Sequence, residues 1–314
     1  MARGIEPIRC SYETTAVMAY LVDGGRLALI DSGGASHPAG PIREALRARG
    51  ADLGDVRTIV HTHGHWDHAG GDAAIREVAE AEIVIHEAGV PLLRDEASHL
   101  DGYATVAARL MERDDLVAEQ RAAFGTLFGG PVAVERRVRD GEEIDLGGGV
   151  VLRVVAVPGH SDDHVALYWE DEGVLVAGDA AQGTGSRAGA CPLYFADVGE
   201  ARASIRRLLE IPFRTLHVSH PFGRLGTEER ATTYGGEEGQ AFLRESLTAL
   251  DAMEEALREA RKDGQDSTFP ELVRAATERL RQADRWPLRI PPAMGIAANS
   301  VPTFAGLWRE MERA

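Results

Sequence analysis

The first part of the chain alternates short apolar runs with turn residues. AVMAYLVD and RLALIDS, between Ala16 and Asp31, are apolar runs joined by Gly24-Gly25. Glycine supplies the positive φ of a tight turn, so a hairpin is predicted there. Pro41 opens a helical pattern, PIREALRARG, that stops at Gly50. VRTIV, from Val56 to Val60, predicts a β-branched strand. A helical stretch from Asp72 to Ala81 and a strand, EIVIH, ending at His86 follow.

Residues 95–128 are polar, alanine-rich and helical in pattern, which predicts a helical insert between strands. Strand patterns return at PVAVERRV, VVLRVVAV, HVALYWE and EGVLVAGD. After a loop, AAQGTGSRAG, come a helix, ARASIRRLLE, and a last strand, RTLHVS. From about Thr227 the pattern is helical, with breaks at Pro287 and Pro291-Pro292. The order predicts an α/β fold, a two-layer β core with helices outside. Residues 1–226 form its main domain and residues 227–314 a helical C-terminal annex.

Composition narrows the function classes. The 314 residues are 44% hydrophobic and 27% charged, enough for a packed core in a soluble globular chain. No apolar run approaches the roughly 20 residues that span a bilayer, and the N-terminus lacks a secretory pattern. The formal charge of -16 repels phosphate backbones, so a nuclease or other nucleic-acid partner is disfavoured. Cys10 and Cys191 make no disulfide framework. The expectation is a cytoplasmic protein with no membrane partner.

The chemistry concentrates in His61-Thr62-His63-Gly64-His65-Trp66-Asp67-His68. Imidazole and carboxylate are ligands for zinc and other first-row metals, and this cluster has no ordinary folding benefit. It follows a strand, where a rigid element ends. Two registers offer themselves: His61 with His63, or His63 with His65. Further candidates stand beyond later apolar runs. His160 follows VVLRVVAV and Pro158-Gly159, Asp179 ends VLVAGD, and His220 follows TLHVS.

His63-x-His65-x-Asp67-His68, continued by Ala69-Gly70-Gly71, resembles the H-x-H-x-D-H motif of the metallo-β-lactamase superfamily. The resemblance implies a four-layer αββα fold with the helical insert and C-terminal helical annex. It implies two zinc ions, with iron or manganese as alternatives. His63, His65 and His160 would hold the first; Asp67, His68 and His220 the second; Asp179 would bridge them. Flavodiiron relatives carry glutamate where this chain has His65, so that branch is disfavoured. Pro158-Gly159-His160-Ser161-Asp162-Asp163-His164 resembles P-G-H-[ST]-x-G-H, except that Asp163 replaces glycine. His164 is expected to support the site and His61 to end a strand beside it. His86 is a further candidate support. His37, His99 and His217 carry no functional expectation. Asp31 is either a support for the ligand loops or a plain turn aspartate.

The implied activity is zinc-dependent hydrolysis of a thioester, lactone or other carboxylic ester by metal-activated water, with Asp67 orienting the nucleophile. The competing readings are a single-iron persulfide-oxidising enzyme and a non-catalytic metal-binding relative. The insert, the loop 181–196 and the C-terminal helices are expected to line the pocket. In that loop Tyr194 is either a donor to a substrate carbonyl or oxyanion, or an aromatic packed under the annex. Cys191 is expected to be a packed thiol. The annex resembles that of glyoxalase II-type thioesterases and related esterases, but their basic glutathione-binding positions have no match here. The expected partner is a small-molecule ester or thioester, and a homodimer is a fair expectation.

Overall fold

A computed structural model describes residues 4–12, 15–185, 192–226, 229–264, 266–282 and 301–313. Within them, two six-stranded sheets face each other. The first runs in chain order through β1 (Gly4–Ser11), β2 (Ala16–Asp23), β3 (Leu27–Ile30), β4 (Val56–Val60), β5 (Glu82–His86) and β6 (Arg136–Val138). Its first three strands are antiparallel and β3 to β6 are parallel. The second runs through β7 (Glu143–Asp145), β8 (Val151–Ala156), β9 (Val165–Trp169), β10 (Val174–Val176), β11 (Thr215–Gly223) and β12 (Arg230–Gly235). It is antiparallel except between β10 and β11.

Parallel neighbours need crossovers, and helices supply most of them. On the first sheet's side these are α1 (Arg43–Arg47), α2 (Trp66–Ala69), α3 (Asp72–Arg76) and α4 (Val90–Arg94). The insert contributes α5 (Glu96–His99), a helical turn at Leu100–Ala104, α6 (Val106–Leu110) and α7 (Asp114–Leu127). α8 (Val198–Leu209) links β10 to β11, its first turn capped by the Asp197 carboxylate. α9 (Gly236–Asp263), α10 (Phe269–Gln282) and α11 (Val301–Arg313) follow. No helix among the described residues is long and apolar enough to cross a membrane.

Central strands are apolar throughout because both faces are covered. Along β2, Val17, Ala19 and Leu21 face the helices outside, while Met18, Tyr20 and Val22 face the second sheet. β9 divides likewise: Val165, Leu167 and Trp169 point inward, Ala166 and Tyr168 outward. The layers are therefore helix, sheet, sheet, helix, as expected.

Several boundaries differ from the sequence reading. β1 was not anticipated: it is an edge strand with Glu6 and Pro7 exposed, and proline is tolerated there. β7 was also missed, and only Arg136–Val138 of PVAVERRV pairs. The helix from Asp72 ends at Arg76 instead of Ala81. The expected division at residue 226 is corrected too. β12 completes the second sheet, so the sheet domain runs to Gly235. Its burial alternates weakly, with only Tyr234 buried, which hides it from a periodicity reading. The C-terminal helices form the fourth layer. Phe242, Leu250, Met253, Val273 and Phe304 share one apolar cluster with Val155, Leu175 and Leu216 of the second sheet. The proline breaks at 287 and 291–292 lie outside the described residues, as does Cys191.

Candidate metal centre

β4 ends at Val60, and the chain turns through His61–His65 into α2. Asp31, just beyond β3, anchors this turn. Its backbone is left-handed, at φ 59°, a costly conformation for a non-glycine residue. There its carboxylate accepts from the Thr62 N–H and hydroxyl, both at 2.8 Å, and from His68 Nδ1 at 2.8 Å. Burial opposes its charge, but His68 and His61 outweigh that and hold its pKa down to about 2. Of the two readings offered for Asp31, the structure shows the support.

The seven expected ligands converge. His63 Nε2 lies 3.1 Å and His160 Nε2 3.0 Å from His65 Nδ1. Asp179 Oδ2 is 3.6 Å from His160 Nε2 and 3.3 Å from His220 Nε2, and Asp67 Oδ2 is 3.3 Å from that same atom. His68 Nε2 is 3.9 Å from carboxylate oxygens of both Asp67 and Asp179. Three groups of donor atoms each gather within 4.8 Å: His63, His65 and His160; His63, His68 and Asp179; Asp67, His68 and His220. Asp179 thus stands between the two triads.

Outer partners fix which nitrogen faces inward. His68 Nδ1 donates to Asp31, His160 Nδ1 to the Leu193 carbonyl at 2.6 Å, and His220 Nδ1 to the Ala16 carbonyl at 2.8 Å. The Thr62 hydroxyl spends its proton on Asp31, so at 3.1 Å it accepts from His63 Nδ1. His63 and His160 therefore present a bare Nε2, whereas His68 and His220 turn theirs towards the Asp67 and Asp179 carboxylates, where a cation would replace a proton. The bare nitrogens of His63 and His160 both face His65 Nδ1, which carries one proton at most and cannot satisfy both. Around a tetrahedral zinc with bonds of roughly 2.0–2.1 Å, nitrogens would lie about 3.3 Å apart. Buried His68 Nε2, Asp67 Oδ1 and Asp179 Oδ1 have no hydrogen-bond partner among the described residues. Carboxylates and crowded imidazole nitrogens at these spacings fit cations among them.

Electrostatics divide the centre. Burial, then mutual repulsion, pushes His63 and His65 well below the ordinary histidine range. His220 is raised well above it: burial opposes this, but Asp179 and Asp67 prevail. Despite burial, His68 and then His220 keep the Asp67 carboxylate below its ordinary range, and His220 does so for Asp179.

The surrounding residues hold these groups in place. His164, pushed by burial down to about 3, accepts from the Asp179 N–H at 2.9 Å. Gly178, at φ 56°, lets that ring approach; a Cβ there would meet it at 2.7 Å. Asp163 is not among the described non-glycine residues with positive φ, so its substitution for glycine leaves the turn unstrained. Its carboxylate accepts from the Gly64 N–H at 2.7 Å, tying the two ligand loops together, and burial raises its pKa. His61 bonds to Asp72 at 2.8 Å and lies 3.6 Å from Asp31. Burial opposes its charge, yet the two carboxylates hold it up to about 10.

His86 only caps a turn through Ala88 and does not reach the ligands. His99 accepts from the Trp66 N–H at 2.9 Å, fastening the insert to α2. His37 and His217 make local bonds to Gly34 and Thr233. Of the two readings of Tyr194, the structure favours the packed aromatic over the substrate donor: its hydroxyl donates to the Ala180 carbonyl at 3.3 Å inside the apolar core. The sequence reading missed Asp72, Gln182 and Tyr103. Gln182 bonds both the Asp179 carbonyl and Leu193; none of the three belongs to a spaced motif.

Two facing sheets with a His/Asp centre at the ends of their strands define a metal-binding αββα sandwich. Residues 13–220 match the profile of the metallo-beta-lactamase superfamily, and the chain belongs to that superfamily. It is 28% identical over 217 residues to a hydroxyacylglutathione hydrolase of Methylococcus capsulatus, covering 68% of this chain and 65% of that protein. It is 30% identical over 170 residues to "Probable metallo-hydrolase YqjP" of Bacillus subtilis, covering 52% of each. The chain thus spans between about half and two thirds of the length of these relatives. A metallo-beta-lactamase family protein from Thermus thermophilus shares the fold, with a TM-score of 0.70 at 24% identity, over 98% of this chain and 93% of that one.

Proposed function

We propose that this protein is a dinuclear zinc-dependent hydrolase of thioesters or other carboxylic esters. The observation that carries the reading is the pair of donor triads on either side of Asp179, with the bare nitrogens of His63 and His160 in one and the carboxylate-facing rings of His68 and His220 in the other. Imidazole and carboxylate suit zinc, and also iron or manganese. Ions bound there would supply Lewis acidity, lowering the pKa of a water towards about 7 and polarising the acyl carbonyl.

The chain's own groups have defined tasks. His63, His65 and His160 would hold one ion; Asp67, His68 and His220 the other; Asp179 both. Asp67 is ionised at neutral pH, and its unpartnered Oδ1 can accept a hydrogen bond from the attacking water. In the net reaction the water oxygen joins the acyl carbon, the carbon–sulfur or carbon–oxygen bond breaks, and the thiol or alcohol leaves with a proton. The name hydroxyacylglutathione hydrolase, borne by several relatives, describes cleavage of an acyl thioester. A single-iron centre would leave Asp67, His68 and His220 converging without a task.

The test is turnover of thioesters, lactones, phosphodiesters and β-lactams by the zinc-loaded protein. Hydrolysis of the thioesters or carboxylic esters is expected. Turnover of phosphodiesters or β-lactams alone, or oxygen consumption on a persulfide with one iron per chain, overturns the reading.

A further inference from the structure

The ligand histidines are buried, but the rings above two of them are not fully covered. Tyr103, in the helical turn Leu100–Ala104, lies flat on His65, with centroids 3.6 Å apart and planes 9° apart. Phe195 meets Tyr103 edge-on at 4.5 Å and 76°, and reaches His65 at 5.6 Å and His160 at 5.8 Å. Both aromatics are half-buried. They lie over the all-imidazole triad with part of each residue still exposed.

Both rings are fixed by contacts outside the centre. The insert carrying Tyr103 is fastened to α2 by His99 and Trp66, and His99 packs against Tyr103, Phe124 and Phe128. The segment carrying Phe195 is held by its own N–H on the His160 carbonyl at 3.1 Å. It is held again through Thr303 of α11, which accepts from the Tyr194 N–H and donates to the Pro192 carbonyl, both at 2.8 Å. Aromatic surface already held in place loses little entropy when a ligand covers it. Partly exposed aromatic rings accept a third ring in the offset or edge-to-face arrangements that aromatic groups prefer.

We infer that Tyr103 and Phe195 form the acyl-group subsite, and that it takes an uncharged aromatic acyl group. This rests on the hydrolase reading above, and it names the part of the substrate that reading leaves open. The rings contribute dispersion and apolar burial and carry no charge, so they select the acyl portion for flat apolar area.

The test compares acetyl, hexanoyl and phenylacetyl thioesters of one common thiol, N-acetylcysteamine, on the full zinc-loaded chain. The phenylacetyl thioester is expected to have kcat/KM at least about 10-fold above the acetyl one, the scale of apolar pocket discrimination. In Tyr103→Ala and in Phe195→Ala that ratio is expected to fall towards unity, mainly through KM, whereas Tyr103→Phe keeps it. A ratio near unity in the unaltered protein, hexanoyl preferred over phenylacetyl, or a ratio that Tyr103→Ala and Phe195→Ala both leave intact overturns the subsite. Calorimetric binding of phenylacetate and acetate to the same protein separates the two readings. If no thioester or ester is turned over but phenylacetate binds better, and Tyr103→Ala removes the difference, the hydrolase reading fails and the aromatic subsite stands. Equal binding of the two acids overturns the subsite.

Discussion

The two halves of the centre lie on one edge of the same sandwich and are built on opposite electrostatic terms. The first triad, His63, His65 and His160, has no carboxylate of its own, and burial drives its imidazoles towards neutrality. The second pairs His68 and His220 with Asp67, and a buried row of Asp31, His61 and Asp72 stands behind His68. The first half therefore offers lone pairs held by ring packing. The second offers negative charge that a cation must balance. Asp179 is the carboxylate the halves share. An ion in the second site should accordingly depend on the carboxylates lined up behind its ligands, while the first should depend on its rings.

Removing Asp31 attacks the second half most severely. Asp31→Ala strands Thr62, His61 and His68 in a fully buried place, and loss of one partner of a buried charged pair costs about 3–5 kcal/mol. Chemical denaturation of the metal-free protein should show that loss; a change below about 1 kcal/mol would break the comparison.

Asp72→Asn is milder, because it weakens only the group behind Asp31. Zinc affinity at the second site should fall about 10–100-fold, the usual effect of an outer partner, with the first site spared. Competition with a chelator reads this; equal weakening of both sites would contradict the asymmetry.

The metal-free protein should also titrate in opposite directions on the two sides. His61 is raised from 6.5 to about 10, so its favourable contribution is present below pH 6.5 and is lost as pH rises through 10. His164 is lowered from 6.5 to about 3, so its contribution is present above pH 6.5 and is lost as pH falls towards 3. Nitrogen NMR should find His61 doubly protonated at pH 8 and His164 still neutral at pH 5. Both rings titrating near 6.5 would remove the distinction. The smallest effect belongs to Tyr194→Phe, which deletes one hydrogen bond to Ala180 and should cost about 1 kcal/mol of stability. Its kcat should be unchanged; a large fall would restore Tyr194 as a substrate donor.

The candidate ligands were legible because each stands at the end of an apolar run, and strand ends gather on one edge of a sandwich. His61 to His68 announces itself by density, and His160, Asp179 and His220 by their place after β8, β10 and within β11. Edge strands were not legible: β1 and β12 bury too little to alternate clearly. The fourth layer read as an annex because the apolar stripe of α9 shows that it is buried, but not against what. Asp72 and Tyr103 were invisible for a different reason. Each acts through a partner distant in sequence or on another element, which no local spacing encodes. Asp163, where the motif has glycine, ties the two loops that carry the candidate ligands, a contact no local pattern shows.

Elemental analysis of the zinc-loaded chain, beside its Asp179→Ala and His63→Ala variants, tests the central claim most directly. The account predicts about two ions per chain in the unaltered protein, with hydrolysis and the paired stoichiometry both lost in each variant. A single ion in the unaltered protein, or hydrolysis that survives both substitutions, would contradict it.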